Sequence, residues 1–106
     1  MREWQIQFWS ESKGKNPIEK WLDSLTEEQL RSVAKELRML EKSGNNLKLP
    51  HSRALGKSLF ELRERRFGYR MYYTFQDRYL IILLAAGDKT SQEKDIRIAR
   101  ERLLKI

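Results

Sequence analysis

The chain of 106 residues contains no cysteine, one histidine (His51), two prolines and five glycines. Without thiols there are neither disulfides nor thiolate metal sites, and one imidazole is too few for the usual zinc or iron donor sets, so a protein without metal or cofactor is expected. A lone histidine also excludes a two-histidine acid–base ribonuclease centre. No Cys-His pair, GxSxG elbow or glycine-rich phosphate loop is written anywhere. The longest apolar run, Tyr79 to Ala86, falls far short of the ~20 residues a helix needs to cross a bilayer. The opening MREWQIQFWSESK mixes acidic residues with aromatics and has no cleavable apolar block, so it does not resemble a signal peptide. A cytoplasmic protein with no membrane partner is therefore expected. Its length suits one domain over 1–106, with no repeat, linker or low-complexity segment.

What the chain has in excess is positive charge, net +7, and it is unevenly placed. Residues 1–47 balance eight basic against eight acidic side chains, whereas Lys48 to Arg70 carry seven basic and two acidic. A localised patch of one sign attracts polyanions at long range and makes their binding salt-dependent. The same charge also serves a plain solvated surface.

Around that patch lies the clearest fold signal. From Phe60 to Arg63 apolar and charged residues alternate, and from Tyr69 to Phe75 the residues Tyr69, Met71, Tyr73 and Phe75 share one face while Arg70, Tyr72 and Thr74 share the other. Tyr79 to Ala86 is apolar throughout, the pattern of a central strand covered on both sides. These make a three-strand meander, with Glu64 to Gly68 as a charged connection. Upstream, Glu3 to Trp9 alternates as a short strand, and Ser10 to Lys15 is a loop. Asn16-Pro17 opens a helix with Ile18, Trp21, Leu22 and Leu25 in phase. Thr26 and Gln29 form a capping box for a second helix striped by Leu30, Val33, Ala34, Leu37 and Leu40, which ends at Gly44. Leu47 to Lys57 is a connector. Thr90 with Glu93 opens the last helix as a capping box, with Ile96, Ala99 and Leu103 on its buried side. The resulting order β-α-α-β-β-β-α is an α+β fold: two antiparallel N-terminal helices pack on one face of a mainly antiparallel sheet, and a C-terminal helix follows. The less covered face is where a concave basic surface is expected.

Arg63 and Arg70 project from adjoining strands onto the face that also carries Leu59, Glu61 and Tyr72. Two guanidiniums side by side suit a phosphate, since each planar fork gives paired hydrogen bonds and stays charged at any working pH. An ion-pair ladder with Glu61 explains the same residues, and Glu61 can also orient an arginine that meets a ligand. Arg65 and Arg66 sit in the turn, and Arg53, Lys57 and His51 precede the hairpin. Each has solvated charge as its plainest explanation. Lys89-Thr90 lies at a strand end before a helix, a favoured position for anions. Tyr72 is the tyrosine placed to stack on a base. A nucleophile–base pair does not assemble from these residues.

Taken together, the strings Lys57 to Arg63 (KSLFELR), Phe67 to Tyr73 (FGYRMYY) and Leu83 to Gln92 (LLAAGDKTSQ), with Lys94-Asp95-Ile96 and Ala99, resemble the RelE/ParE superfamily of type II toxin–antitoxin toxins. Within it they are most similar to the HigB-like, phage-derived "addiction module killer protein" branch. The resemblance runs from Trp21 to Leu103. It implies a toxin held inactive by a cognate antitoxin, a small helix-turn-helix protein encoded beside it. Members similar to RelE and HigB cut mRNA in the ribosomal A site, whereas members similar to ParE inhibit DNA gyrase; a non-catalytic nucleic-acid-binding member is a third class. For mRNA cleavage Arg63, Arg70 and Lys89 are expected on the scissile phosphate: Arg70 matches the arginine of the family's GYR motif and Lys89 falls where many RNA-cutting members have a basic residue, while Arg63 and an orienting Glu61 come from the strand pattern. The message would be bound by Lys57, Arg65, Arg66, Tyr72, Arg53 and His51. Two departures stand out: Leu59 and Glu61 occupy the strand that carries paired lysines in RelE-type toxins, and Asp95 falls near their late tyrosine.

Overall fold

The computed structural model describes residues 3–11 and 16–106, so residues 12–15 of the expected Ser10 to Lys15 loop lie outside the described residues. The chain runs β1 (Gln5–Phe8), α1 (Pro17–Asp23), α2 (Glu27–Ser43), β2 (Ser52–Gly56), β3 (Leu59–Glu64), β4 (Tyr69–Gln76), β5 (Leu80–Asp88) and α3 (Gln92–Leu103). Single 3₁₀ turns follow α2 at Gly44–Asn46 and β5 at Lys89–Ser91. One five-stranded sheet has the order β1-β5-β4-β3-β2; β2 to β5 form an antiparallel meander and β1 adds in parallel beside β5.

The all-apolar β5 takes the place its composition demands. Ile81 and Leu83 face the α1/α2 side together with Ile18, Val33, Leu40, Leu62, Met71 and Tyr73. Ile82 and Leu84 face α3 with Leu59, Tyr72 and Ala99. In β4 the alternation divides as the sequence reads, with Met71 and Tyr73 on the first side and Tyr72 on the second. One irregularity matters below: Tyr72 pairs with Ala85 but Tyr73 with Leu83, which leaves Leu84 as an extra residue in β5. Leu84 and Ala85 therefore both face α3, and Gly87 comes opposite Arg70.

The helix starts follow their capping chemistry. Asn16 Oδ1 accepts from Glu19 N at 3.0 Å, and the Thr26–Gln29 box closes both of its bonds, at 2.9 and 3.2 Å. Gly44 ends α2 with φ +50°, and an added Cβ would overlap the Trp4 indole, so glycine is required there twice over.

Three expectations are corrected. The connector Leu47 to Lys57 contains strand β2, making the order β-α-α-β-β-β-β-α; Ser-Arg-Ala-Leu-Gly has no β-branched residue and becomes a strand only by pairing along β3. Thr90 does not cap the last helix: Asp88 accepts from Thr90 N, Thr90 Oγ1 and Ser91 N, and caps the turn that leads into α3. Helices cover both faces of the sheet, α1 and α2 on one and α3 on the other, so no sheet face is left as an open basic surface among the described residues, and a basic cleft opens instead at the sheet's β3–β4 turn end.

Candidate phosphate-binding site

The β3–β4 turn is built around an acid that its sequence presents as loop charge. Glu64 ends β3 almost wholly buried, and its carboxylate accepts from the backbone N–H of Arg66, Phe67 and Tyr69 and from Ser32 Oγ of α2 at 2.6 Å. With these donors satisfied internally, the turn holds its shape and directs Arg65 outward, where it is exposed.

On the adjoining face Arg63 and Arg70 stand directly opposite one another across β3 and β4. Beneath them Glu61 is completely buried. Arg63 Nε donates to Glu61 Oε1 at 3.0 Å, Arg53 Nε lies 3.7 Å from the same oxygen, and Arg70 Nε lies 3.5 Å from Oε2, an ion pair without hydrogen-bond geometry. Gln92, the first residue of α3, donates Nε2 to Oε2 at 3.0 Å. Among the described residues none of the three arginines engages an Nη atom in a hydrogen bond. Two of the three, Arg63 and Arg70, line an open cleft.

Arg63, Arg65, Arg70 and Lys89 meet in one shallow cleft of about 280 Å³, with Glu64, Gly68 and Tyr69 completing its wall. Four cations against Glu64, and Glu61 below, leave a net positive concavity. Its chemistry is anion binding: fork-shaped and point-charge donors side by side with uncommitted hydrogens. Among the described residues no three acidic, histidine or cysteine side chains gather as a metal site would require.

The remaining predicted residues divide. Arg53 reaches the Glu61 hub from β2 but does not line the cleft. Arg66 turns toward α2, pairing with Glu28 at 3.3 Å and lying over the Phe67 ring. His51 holds Glu36 through Nδ1 at 3.2 Å, outside the cleft, while its carbonyl accepts from Arg63 N. Lys57 sits in the β2–β3 turn, six residues from Arg63 and so about 20 Å away along β3. Tyr72 is corrected outright: it shares the arginine face as expected, but α3 covers it, so its ring is wholly buried and unable to stack on a base. Among the described residues its hydroxyl has no hydrogen-bond partner, and burial, followed by the nearby carboxylates of Glu61 and Asp95, raises the phenol's pKa above its usual value. It stays protonated.

Three residues of the site carried no predicted role. Glu64 was hidden because a buried turn-capping acid and a solvated one look alike in sequence. Gln92 and Asp95 belong to the Gly87-Asp88-Lys89…Gln92…Asp95 pattern, whose four-residue spacing from Asp88 to Gln92 signals a turn leading into a helix. Asp95 is buried, accepts from Ser91 Oγ at 2.5 Å, and approaches Gly87 so closely that a Cβ there would stand 2.0 Å from its Oδ2. Burial raises the Asp95 pKa above its ordinary value, with the Ser91 hydrogen bond acting in the opposite direction.

The crystal structure of the isolated E. coli RelE toxin has the same fold: TM-score 0.57, 16% identity, covering 90% of this chain and 98% of that one. A protein of Haemophilus influenzae (strain ATCC 51907 / DSM 11121 / KW20 / Rd), described only as uncharacterized, is 43% identical over 49 residues, which are 45% of this chain and 50% of the relative. The chain thus spans about half the length of the curated relative it matches. Residues 20–104, which include the buried acids Glu61, Glu64 and Asp95 and every cation of the cleft, match the family described as phage derived protein Gp49-like (DUF891), and the chain belongs to that family.

Proposed function

We propose that this chain is the toxin of a toxin–antitoxin pair and that it cuts mRNA on the ribosome, with the Arg63–Arg65–Arg70–Lys89 cleft holding the scissile phosphate. The observation that carries the proposal is the convergence of these four cations on one concavity, with Arg63 and Arg70 making no Nη hydrogen bond among the described residues. A RelE-like fold and membership of a phage-derived family support it.

Cleavage of an RNA linkage by its own 2′-hydroxyl forms a P–O2′ bond and breaks the P–O5′ bond. The 2′ proton is lost and the 5′ oxygen gains one. Charge accumulates on the phosphoryl oxygens in the transition state, and pre-aimed guanidiniums stabilise it without reorganising at the moment of reaction. Arg70, Arg63 and Lys89 would take those oxygens, with Arg65 on a flanking phosphate. The cleft itself offers no exposed base: His51 is turned to Glu36, and Glu61 and Tyr72 are buried. On this proposal the in-line alignment and proton acceptor come from the ribosome-bound message, and naked RNA is cut poorly. A cognate antitoxin, the partner that neutralises it, would be encoded beside it.

Induced expression, followed with labelled precursors and by mapping of message ends, tests this. The expected result is a rapid fall in translation with cuts in ribosome-bound mRNA. Arg70→Ala should lower single-turnover cleavage by a factor on the order of 10² or more, with an unchanged circular dichroism spectrum. Replication arrest with an SOS response and intact messages would overturn the proposal in favour of gyrase inhibition. Unaffected growth would leave a binding protein.

A further inference from the structure

The arginine cluster rests on one buried anion, and one contact of that anion comes from outside the sheet. Glu61 has two oxygens and four neighbours: Arg63 and Arg53 at Oε1, Gln92 and Arg70 at Oε2. Arg63 and Gln92 make the two short, directed hydrogen bonds, both at 3.0 Å, and so fix the plane of the carboxylate. Arg53 and Arg70 stand back at 3.7 and 3.5 Å. Arg70 is the most buried of the three arginines, its side chain 17% exposed, yet its Nε makes no hydrogen bond. A buried donor with no partner has every reason to close on the nearest carboxylate oxygen. Gln92 and Arg63 set the carboxylate plane that leaves Oε2 3.5 Å from Arg70 Nε.

The amide suits this task in a way a charged residue would not. Glutamine bonds Oε2 without adding a charge, so the cleft keeps its positive sign, and it leaves Arg70 its Nη donors. Its placement is deliberate in the fold. Asp88 caps the turn at Lys89–Ser91, Ser91 Oγ donates to Asp95, and Gly87, having no Cβ, lets Asp95 press against β5. These contacts dock the first turn of α3 and aim Gln92 at Glu61.

We infer that Gln92 is a positioning residue for the phosphate cleft: by fixing, with Arg63, the plane of the Glu61 carboxylate it holds Oε2 out of hydrogen-bond reach of Arg70 Nε, so that the Arg70 Nη atoms stay available to the phosphate. The inference rests on the RNA-cleaving proposal for its consequence, and on the Glu61 contacts alone for its geometry.

The two are separated by reading the arginines directly. In the uniformly ¹⁵N-labelled protein, the Nε–H resonances of Arg53, Arg63 and Arg70 report their hydrogen bonding with no ribosome present. In Gln92→Leu the Arg70 Nε–H should shift and its exchange with water should slow as it bonds the vacated oxygen, while Arg63 changes little. Single-turnover cleavage of ribosome-bound message should fall by a factor on the order of 10 to 100, with binding to the ribosome–message complex retained, as a misplaced group behaves. Gln92→Glu, which sets a second carboxylate against Glu61, should lose more and should also weaken binding. Both variants are assayed below their melting transitions, so that loss of folded protein does not enter the rate. An unmoved Arg70 resonance, or wild-type cleavage by Gln92→Leu, overturns the inference. A moved resonance in a protein whose wild type cuts no message upholds the positioning and removes the cleavage proposal.

Discussion

At the scale of single residues, the arrangement turns on how much positive charge one acid can hold in place. Glu61 is out of contact with solvent, while the side chains of Arg53, Arg63 and Arg70 are 43%, 29% and 17% exposed. The acid is thus fully desolvated and its partners only partly, and the cluster is asymmetric in what it loses on mutation. Glu61→Ala leaves three guanidiniums facing one another over a void. A broken buried pair costs about 3–5 kcal/mol, and because the arginine heads reach water the lower end, about 3 kcal/mol, applies. Urea unfolding should show that loss, and part of it should return at about 1 M salt, where the repulsion between the exposed heads is screened. A loss under about 1 kcal/mol, unaffected by salt, would show that the arginines do not depend on Glu61. Alternation in sequence was enough to put Arg63, Arg70, Glu61 and Tyr72 on one face. It was silent on which of the four would be covered, because that depends on where α3, more than thirty residues after Glu61, lies down. Hence the arginines were legible and the burial of Tyr72 was not.

Among the elements, α3 has the largest influence on the site for its length, since it buries Tyr72, supplies Gln92 and presses Asp95 onto Gly87. That docking has a pH signature. Asp95 has its pKa raised from an ordinary 3.8, chiefly by burial, so the folded protein holds that proton more tightly than the unfolded chain does. Its contribution to stability is therefore greatest below about pH 4 and is lost as pH rises through the raised value. Asp88, whose pKa is lowered chiefly by the Thr90 hydroxyl, acts in the opposite sense, stabilising above its ordinary value and failing as pH falls. Asp95→Asn keeps an acceptor for Ser91 Oγ but does not titrate. Denaturation curves from about pH 3 to 7 should show the variant gaining on wild type as pH rises; a difference independent of pH would mean that Asp95 does not titrate across folding. Elements with strong local signals, such as the Thr26–Gln29 box and the apolar β5, were readable from the chain. The two that were misread, β2 and the start of α3, owe their form to distant partners: β2 to the backbone of β3, and the α3 start to an aspartate at the end of the preceding strand.

For the molecule as a whole, the useful quantity is where its net charge of +7 lies relative to the fold. Residues 1–47 supply β1 and the two helices of one layer with no net charge, the stretch 48–70 carries +5 along β2, β3 and their turns, and residues 89–106 add +3. Sharing a fold with RelE at 16% identity places no particular side chain, so the site has to be argued from this chain's own cations. Those cations are at two separate ends of β3: the cleft at the β3–β4 turn, and Lys57 at the β2–β3 turn. Binding of a short single-stranded RNA measured against salt distinguishes which end the polyanion uses. Each phosphate neutralised on a single strand contributes about 0.7 to the slope of log affinity against log salt, so the four cations of the cleft should give a slope of about −3. Lys89→Ala should flatten it by about 0.7 while Lys57→Ala leaves it unchanged. If removing Lys57 flattened the slope as much as removing Lys89, the RNA would have to lie along the length of β3, and the turn-end cleft would be one contact in a long track instead of the place where the strand is held.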